Sequence, residues 1–272
     1  MANKSAPDKA QTTTAPASVT PAGGDVPAIE VRNLMKSYSG QAILRGVNVK
    51  VPAGTTLVVL GGSGQGKSVL MKHLIGLEKP DSGQVLINGR DIVPMNQREL
   101  NDVREQFGMV FQQAALFDSL SVYENVAFPL REHTKMTEDE IRERVHATLA
   151  LFSLDPRAYH KFPAQISGGM RKRVGLARAV IRQPKVVLYD EPTTGLDPLT
   201  TDAVDEMILH AKKSLNVTSV VISHDIGSAF KIADTLAFLH AGQIVEEGPP
   251  ASFQNSQVPE VKRFLSMWFS RN

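Results

Sequence analysis

The chain has 272 residues, enough for one large domain or two modest ones, and its 42% hydrophobic and 21% charged residues suit an ordinary globular protein. Thirty Lys+Arg against 28 Asp+Glu leave a formal charge of +2, which gives no support for a nucleic-acid binder held by bulk charge. The absence of cysteine excludes disulfides, thiolate zinc sites, iron–sulfur clusters and a cysteine nucleophile.

Residues 1–28 are rich in Ala, Thr, Pro and Ser and hold no aromatic residue, so a disordered tail is expected there. The N-terminus lacks the apolar core of a secretory signal. Nor does any stretch approach the roughly 18 to 20 apolar residues of a transmembrane helix, so a membrane role is expected to come through a partner. From Ile29 the pattern changes: Ile29-Glu30-Val31-Arg32 and Val47 to Val51 alternate like half-buried strands. Thr56 to Leu60 is a short apolar run stopping at glycine, as a fully buried strand does. Val69, Leu70, His73, Leu74 and Leu77 then recur at helical spacing, and Gln84 to Ile87 reads as another strand closed by Asn88-Gly89. Thr137 to Phe152 reads as an amphipathic helix. Strand patterns return at Val186 to Tyr189 and Ser219 to Ile222, with a helical segment, Thr201 to Ser214, between them. Strands alternating with helices predict an α/β fold around a largely parallel sheet, interrupted by a helix-rich insertion over about residues 113–165.

Gly61-Gly62-Ser63-Gly64-Gln65-Gly66-Lys67-Ser68 fits G-x-x-x-x-G-K-[ST] in full, between a predicted buried strand and a predicted helix. Glycines allow successive main-chain N–H groups to point inward around phosphate oxygens, and the following helix presents its positive end to the same anion. Lys67 is expected to reach the β- and γ-phosphates, and the Ser68 hydroxyl to ligate Mg²⁺. Further on, the apolar strand at Val186 ends in Asp190-Glu191. Neighbouring strand residues point to opposite sides. Asp190 therefore suits support of Mg²⁺, while Glu191 suits activation of a water facing the γ-phosphate.

Together these features resemble the nucleotide-binding subunit of an ABC transporter. Ser167-Gly168-Gly169-Met170 resembles the family's signature, Gln112 its Q-loop, Gly195-Leu196-Asp197 its D-loop and His224 its switch histidine. Tyr38 stands at the place of the adenine-stacking aromatic. The resemblance covers about residues 29–250 and implies a P-loop NTPase core of RecA-like type with an antiparallel β part and an inserted helical subdomain. It divides the chain into a tail (1–28), a nucleotide-binding domain (29–254) and a C-terminal helical extension (255–272). It also implies MgATP as ligand: Gly61 to Val69 and Tyr38 contact the nucleotide, Ser68, Gln112 and Asp190 attend the metal, and Glu191, His224 and Gln112 serve hydrolysis. A second copy, paired head to tail, would contribute Ser167 to Met170, with a helix starting near Met170 as a second anion-binding terminus.

Ile166 and Met170 stand where Leu and Gln are usual in the family. Ser167 to Val174, Ala115-Leu116-Phe117 and Ala127 to Thr134 are similar to the Mla/Mce-type ATPases. That resemblance implies phospholipid transport between inner and outer membranes and attachment to the cytoplasmic face of the inner membrane through a permease pair. Behind the permease it implies a periplasmic Mce-type lipid-binding protein and, in some systems, a small STAS-type protein on the ATPase. A transporter for another cargo is the alternative, since fold does not fix cargo. A soluble ABC ATPase of translation or repair fits less well, because one motif set, no cysteine and no long heptad run are present.

Three segments stay open. Leu116 and Phe117 are expected either to line a groove for the permease or to pack in the core. Arg171-Lys172-Arg173 reads as a solvated helix face. Val261, Phe264, Leu265 and Trp268 form one apolar helical stripe, expected to dock on a second copy or to pack on its own domain.

Overall fold

The computed structural model describes residues 26–269, with side chains up to residue 266. The tail expected over 1–28 lies, up to residue 25, outside the described residues, as does the Trp268 side chain.

A six-stranded sheet forms the centre. Its strands are β3 (Thr56–Leu60), β6 (Phe107–Val110), β7 (Val186–Asp190), β8 (Thr218–Ser223), β9 (Thr235–His240) and β10 (Gln243–Gly248), in the order β10-β9-β3-β8-β7-β6. All neighbours are parallel except β10, which pairs antiparallel with β9. β3 is buried at all five residues, as a central parallel strand covered on both faces must be. Alternation divides it between two cores. Val58 and Leu60 join Val187, Tyr189 and Val221 on one face, while Leu57 and Val59 join Leu188, Val220 and Ile222 on the other. Asp190, one residue after Tyr189, thereby falls on the face of Leu188.

The second core is closed by a four-stranded antiparallel sheet. It contains β1 (Ile29–Tyr38), β2 (Gln41–Val51), β4 (Ser82–Ile87) and β5 (Arg90–Asp91), ordered β2-β1-β4-β5. The amide of Arg45 in β2 donates to the Gly242 carbonyl at 2.8 Å, tying this sheet to the β9–β10 turn. Between the sheets runs α1 (Lys67–Leu74). It stops sooner than its apolar spacing suggests. Gly76 turns left-handed (φ +62°), and the amides of Leu77 and Gly76 donate to the carbonyls of Lys72 and His73 in a Schellman pattern. Leu77, expected on the helix, lies beyond this stop and is 59% exposed.

The other core is helical: α3 (Val122–His133), α4 (Glu138–Leu151), α5 (Gly168–Val180) and α6 (Pro198–Leu215). Ser121 and Thr137 each form a reciprocal capping box, with Glu124 and Glu140 respectively. α2 (Gln97–Arg104) starts in the same way, at Asn96 and Glu99. α7 (Ile226–Ile232) follows β8, and α8 (Pro250–Gln254) and α9 (Pro259–Phe269) finish the described chain. In α9 Val261 and Leu265 are buried in the helical-side core, and the Phe264 ring meets that of Phe238 edge-on, centroids 5.0 Å apart. The stripe, expected either to dock on a second copy or to pack on its own domain, packs on its own chain at these residues.

Candidate functional site

The phosphate loop joins the C-terminal edge of β3 to α1. Gly66 precedes α1 with φ +103°, and a Cβ there would meet Leu44 Cδ2 at 2.9 Å and the Ile43 carbonyl at 3.2 Å. Gly61 packs still closer, since its Cβ would sit 2.4 Å from the Leu239 carbonyl oxygen. Lys67 is buried, and its Nζ folds back over the loop to donate to the carbonyls of Gly61 (2.8 Å) and Gly62 (3.0 Å). Gln65 accepts the Ala241 amide at 2.6 Å, pinning the loop to the β9–β10 turn. No side chain caps α1, so its first-turn amides are placed to meet an anion. The cradle, Lys67 and the exposed Ser68 hydroxyl are the donor set that a nucleotide's phosphates and their Mg²⁺ require.

Across the loop stands Glu191, held in a left-handed conformation (φ +49°), its amide donating to the Ile222 carbonyl at 2.9 Å. Its Oε1 lies 3.6 Å from Lys67 Nζ. Its Oε2 accepts from the Thr194 hydroxyl at 2.9 Å and faces His224 Nδ1 at 2.6 Å. Burial raises the Asp190 carboxyl above its usual range, and the Glu191 charge adds to this against the pull of Lys67 and Lys72. A divalent cation would relieve that cost.

One cleft of ≈ 860 Å³ gathers Tyr38, Gly62 to Val69, Gln112, Glu191 and His224. Ile43, Thr194, Ile226 and Phe264 complete its lining, and sequence reasoning assigned none of these four to the site. Thr194 carried a local signal, three residues after the acid it bonds; Phe264 carried none, because its approach depends on how α9 packs. Tyr38 is held from behind, its hydroxyl donating to Glu78 and Lys36 Nζ lying 5.3 Å from its ring centroid. Partial burial and the Glu78 carboxylate push the phenol up to about 12.

The signature segment lies elsewhere. Ser167 caps α5, its Oγ accepting the Met170 amide at 3.3 Å, so the helix begins at Gly168, two residues before the expected start. Ser167, Gly169 and Met170 share a separate groove with Leu199 and Thr200. Asp197 caps α6 beside that groove and accepts from the Thr200 hydroxyl (2.6 Å) and amide (3.1 Å), which lower its carboxyl below the usual range.

Of the two readings left open for Leu116 and Phe117, each residue takes one. Leu116 packs against the helical core, whereas Phe117 is exposed and lines a surface groove with Phe128, ring centroids 4.9 Å apart. The Arg171-Lys172-Arg173 run is no solvated face. Lys172 is buried, Arg171 donates to the Ile166 carbonyl at 2.8 Å, and Arg173 donates to those of Phe152 and Ser153 at 3.2 and 3.3 Å.

Residues 44–194 match the ABC transporter family model. The chain is 43% identical over 239 residues to a probable ribonucleotide transport ATP-binding protein of Mycobacterium leprae, covering 88% of this chain and 69% of that protein. It is 38% identical over 237 residues to the intermembrane phospholipid transport system ATP-binding protein of Haemophilus influenzae, covering 87% and 89%. Among solved structures, the ATP-binding cassette MJ0796, a dimer in a post-hydrolysis state with ADP and Pi, superposes with TM-score 0.75 at 30% identity over 82% of this chain and 98% of that one. With its P-loop core, its antiparallel sheet and a cradle fitted to MgATP, this chain belongs to the ABC transporter family and is an ATPase of that family.

Proposed function

We propose that the chain powers a phospholipid transporter working between two membranes, hydrolysing ATP at the cytoplasmic face of the inner membrane. The observation behind the cargo is the 38% identity to the Haemophilus influenzae phospholipid-transport subunit over 89% of that protein. Among the described residues no helix is long and apolar enough to cross a membrane, so a permease pair would supply the membrane path. A periplasmic Mce-type protein, with a STAS-type protein on the cytoplasmic side, would complete such a system.

Hydrolysis follows from the cleft. The loop amides and Lys67 neutralise the β- and γ-phosphates, and Lys67 can exchange two carbonyl bonds for them at little cost. Tyr38 offers its ring to adenine. Ser68, Asp190 and Gln112 would hold Mg²⁺, which supplies charge neutralisation between the phosphates. Glu191 accepts the proton of the attacking water, and His224 and Thr194 fix its carboxylate while it does so. A second copy, paired head to tail, would bring Ser167 to Met170 and Asp197 to the γ-phosphate.

The test is a reconstituted complex of this chain with its permease. ATP-driven transfer of labelled phospholipid between vesicles is expected, and Glu191→Gln should lower turnover by about 10² to 10⁴ while ATP still pairs two copies. The rival cargo rests on the 43% identity to the ribonucleotide-transport relative. Movement of ribonucleotide rather than lipid by the same complex would select it.

A further inference from the structure

We propose that Lys172 and Arg178 are positioning residues. They clamp the main chain of the Gln112 loop onto α5, so that Gln112 is aimed into the nucleotide cleft by the signature helix of its own chain. Lys172 Nζ donates to the Gln112 carbonyl. Two turns along α5, Arg178 Nη2 donates to the carbonyls of both Ala114 and Ala115 at 2.9 Å. Gly175, midway between them, admits the loop: a Cβ there would lie 3.0 Å from the Ala114 Cβ and 3.3 Å from its Cα. Positions 172, 175 and 178 fall along one helical face, and the loop lies on it.

The loop needs such a grip. Ala114 and Ala115 both have positive φ (+61° and +45°), a left-handed conformation that L-residues without a polar side chain adopt only when held. Downstream, buried Asn125 fixes the continuation by accepting the Phe117 amide at 2.8 Å and donating to the Phe117, Leu120 and Ser121 carbonyls. Upstream, Val110 is buried at the end of β6. Both clamp residues are costly to keep. Burial lowers the pKa of Lys172 and of Arg178, and no carboxylate contributes to either. A cation retained without a counter-ion and directed at carbonyls of one loop suits a positioning role better than a stabilising one. Lys172 lines a small apolar cavity with Leu176, Tyr189, Val204 and Ile208, surroundings that suit a methionine in its place.

This inference rests on the proposed work of Gln112 at the metal and γ-phosphate. The test uses the full chain assembled with its membrane partners. Lys172→Met should lower kcat about tenfold, leave the affinity for a fluorescent ATP analogue within about twofold, and be largely rescued by Lys172→Arg. Gln112→Ala should show the same split, and the double variant should be no slower than the slower single one. If Gln112→Ala keeps full turnover, the role of Gln112 fails and the clamp falls with it. If Gln112→Ala is slow but Lys172→Met is not, or if the two losses multiply, the clamp alone is overturned. Should Lys172→Met fail to fold, Arg178→Gln probes the same clamp through Ala114 and Ala115: a tenfold loss of kcat supports it, and full turnover overturns it.

Discussion

Asp205 is an acid in the wrong solvent. It lies on the buried side of α6 at 3% exposure, facing α7, and its Oδ1 has no hydrogen-bond partner. Burial pushes its carboxyl up to about 6; the nearby Ser228 hydroxyl eases the charge, while Asp225 and Asp202 add to the repulsion. Lys231, the nearest cation, is already paired with Asp202 at 2.5 Å and Glu206 at 2.8 Å. Folding therefore favours the protonated acid. That preference is complete below the unfolded value of 3.8 and is lost as pH rises through about 6. The gap between the two values, at about 1.4 kcal/mol per tenfold, makes the buried charge cost up to about 3 kcal/mol at pH 8. Asp205→Asn removes the charge and keeps the shape, and its amide can donate to Ser228. The variant should melt about 6 to 12 °C higher at pH 8, with the gain falling to about a third at pH 4.5. Thermal melts at both pH values decide it. A destabilised variant at pH 8, or a gain equal at both pH values, refutes the reasoning.

Gly66→Ala places a methyl group 2.9 Å from Leu44 in a left-handed backbone, so MgATP affinity should fall at least tenfold by calorimetry. Gly62→Ala is its control: φ there is not positive and the new Cβ finds nothing nearer than Gln65 Cγ at 3.8 Å, so the melting temperature should hold. Val261→Asp buries a carboxylate where the side chain is fully enclosed, and a urea midpoint should record a loss of about 3 to 5 kcal/mol. If instead the isolated chain keeps its midpoint, α9 does not pack as described.

The sequence spoke most clearly where chemistry and local geometry coincide. Leu57 to Leu60 read as a buried strand because four successive apolar side chains need cover on both faces, and the loop after it must be glycine-rich because Gly61 and Gly66 have no room for a side chain. Asp190 was legible as the end of an apolar strand, whereas Glu191 stands beyond β7 in a left-handed conformation that strand alternation does not foresee. Other signals were present but unread: Asn96 with Glu99 and Ser121 with Glu124 mark the starts of α2 and α3. The β9–β10 hairpin was harder, since its Ala241-Gly242 turn has positive φ at both residues yet lacks the usual Asn or Asp. Lys172 was unreadable in principle. Within Arg171-Lys172-Arg173 no local feature sets it apart, and its burial is decided by a carbonyl 60 residues earlier in the chain.

The placement of the two helix N-termini carries the deepest consequence for the proposed mechanism. α1 starts just after Gly66 with no side-chain cap, and α5 starts at Gly168 with Ser167 taking the Met170 amide, yet α1 opens into the cleft while α5 opens into the groove shared with Leu199 and Thr200. α5 is tied to the Gln112 loop of its own chain, with Lys172 and Arg178 donating to the carbonyls of Gln112 and Ala114. Leu199, 85% exposed beside Asp197, is an apolar side chain on the face where the α5 terminus emerges. A second copy laid head to tail would desolvate Leu199 and close an α5 terminus over a γ-phosphate at each end. Under that proposed pairing, loss of the phosphate would remove the anion that both termini share, and with it a reason for the pair to stay closed.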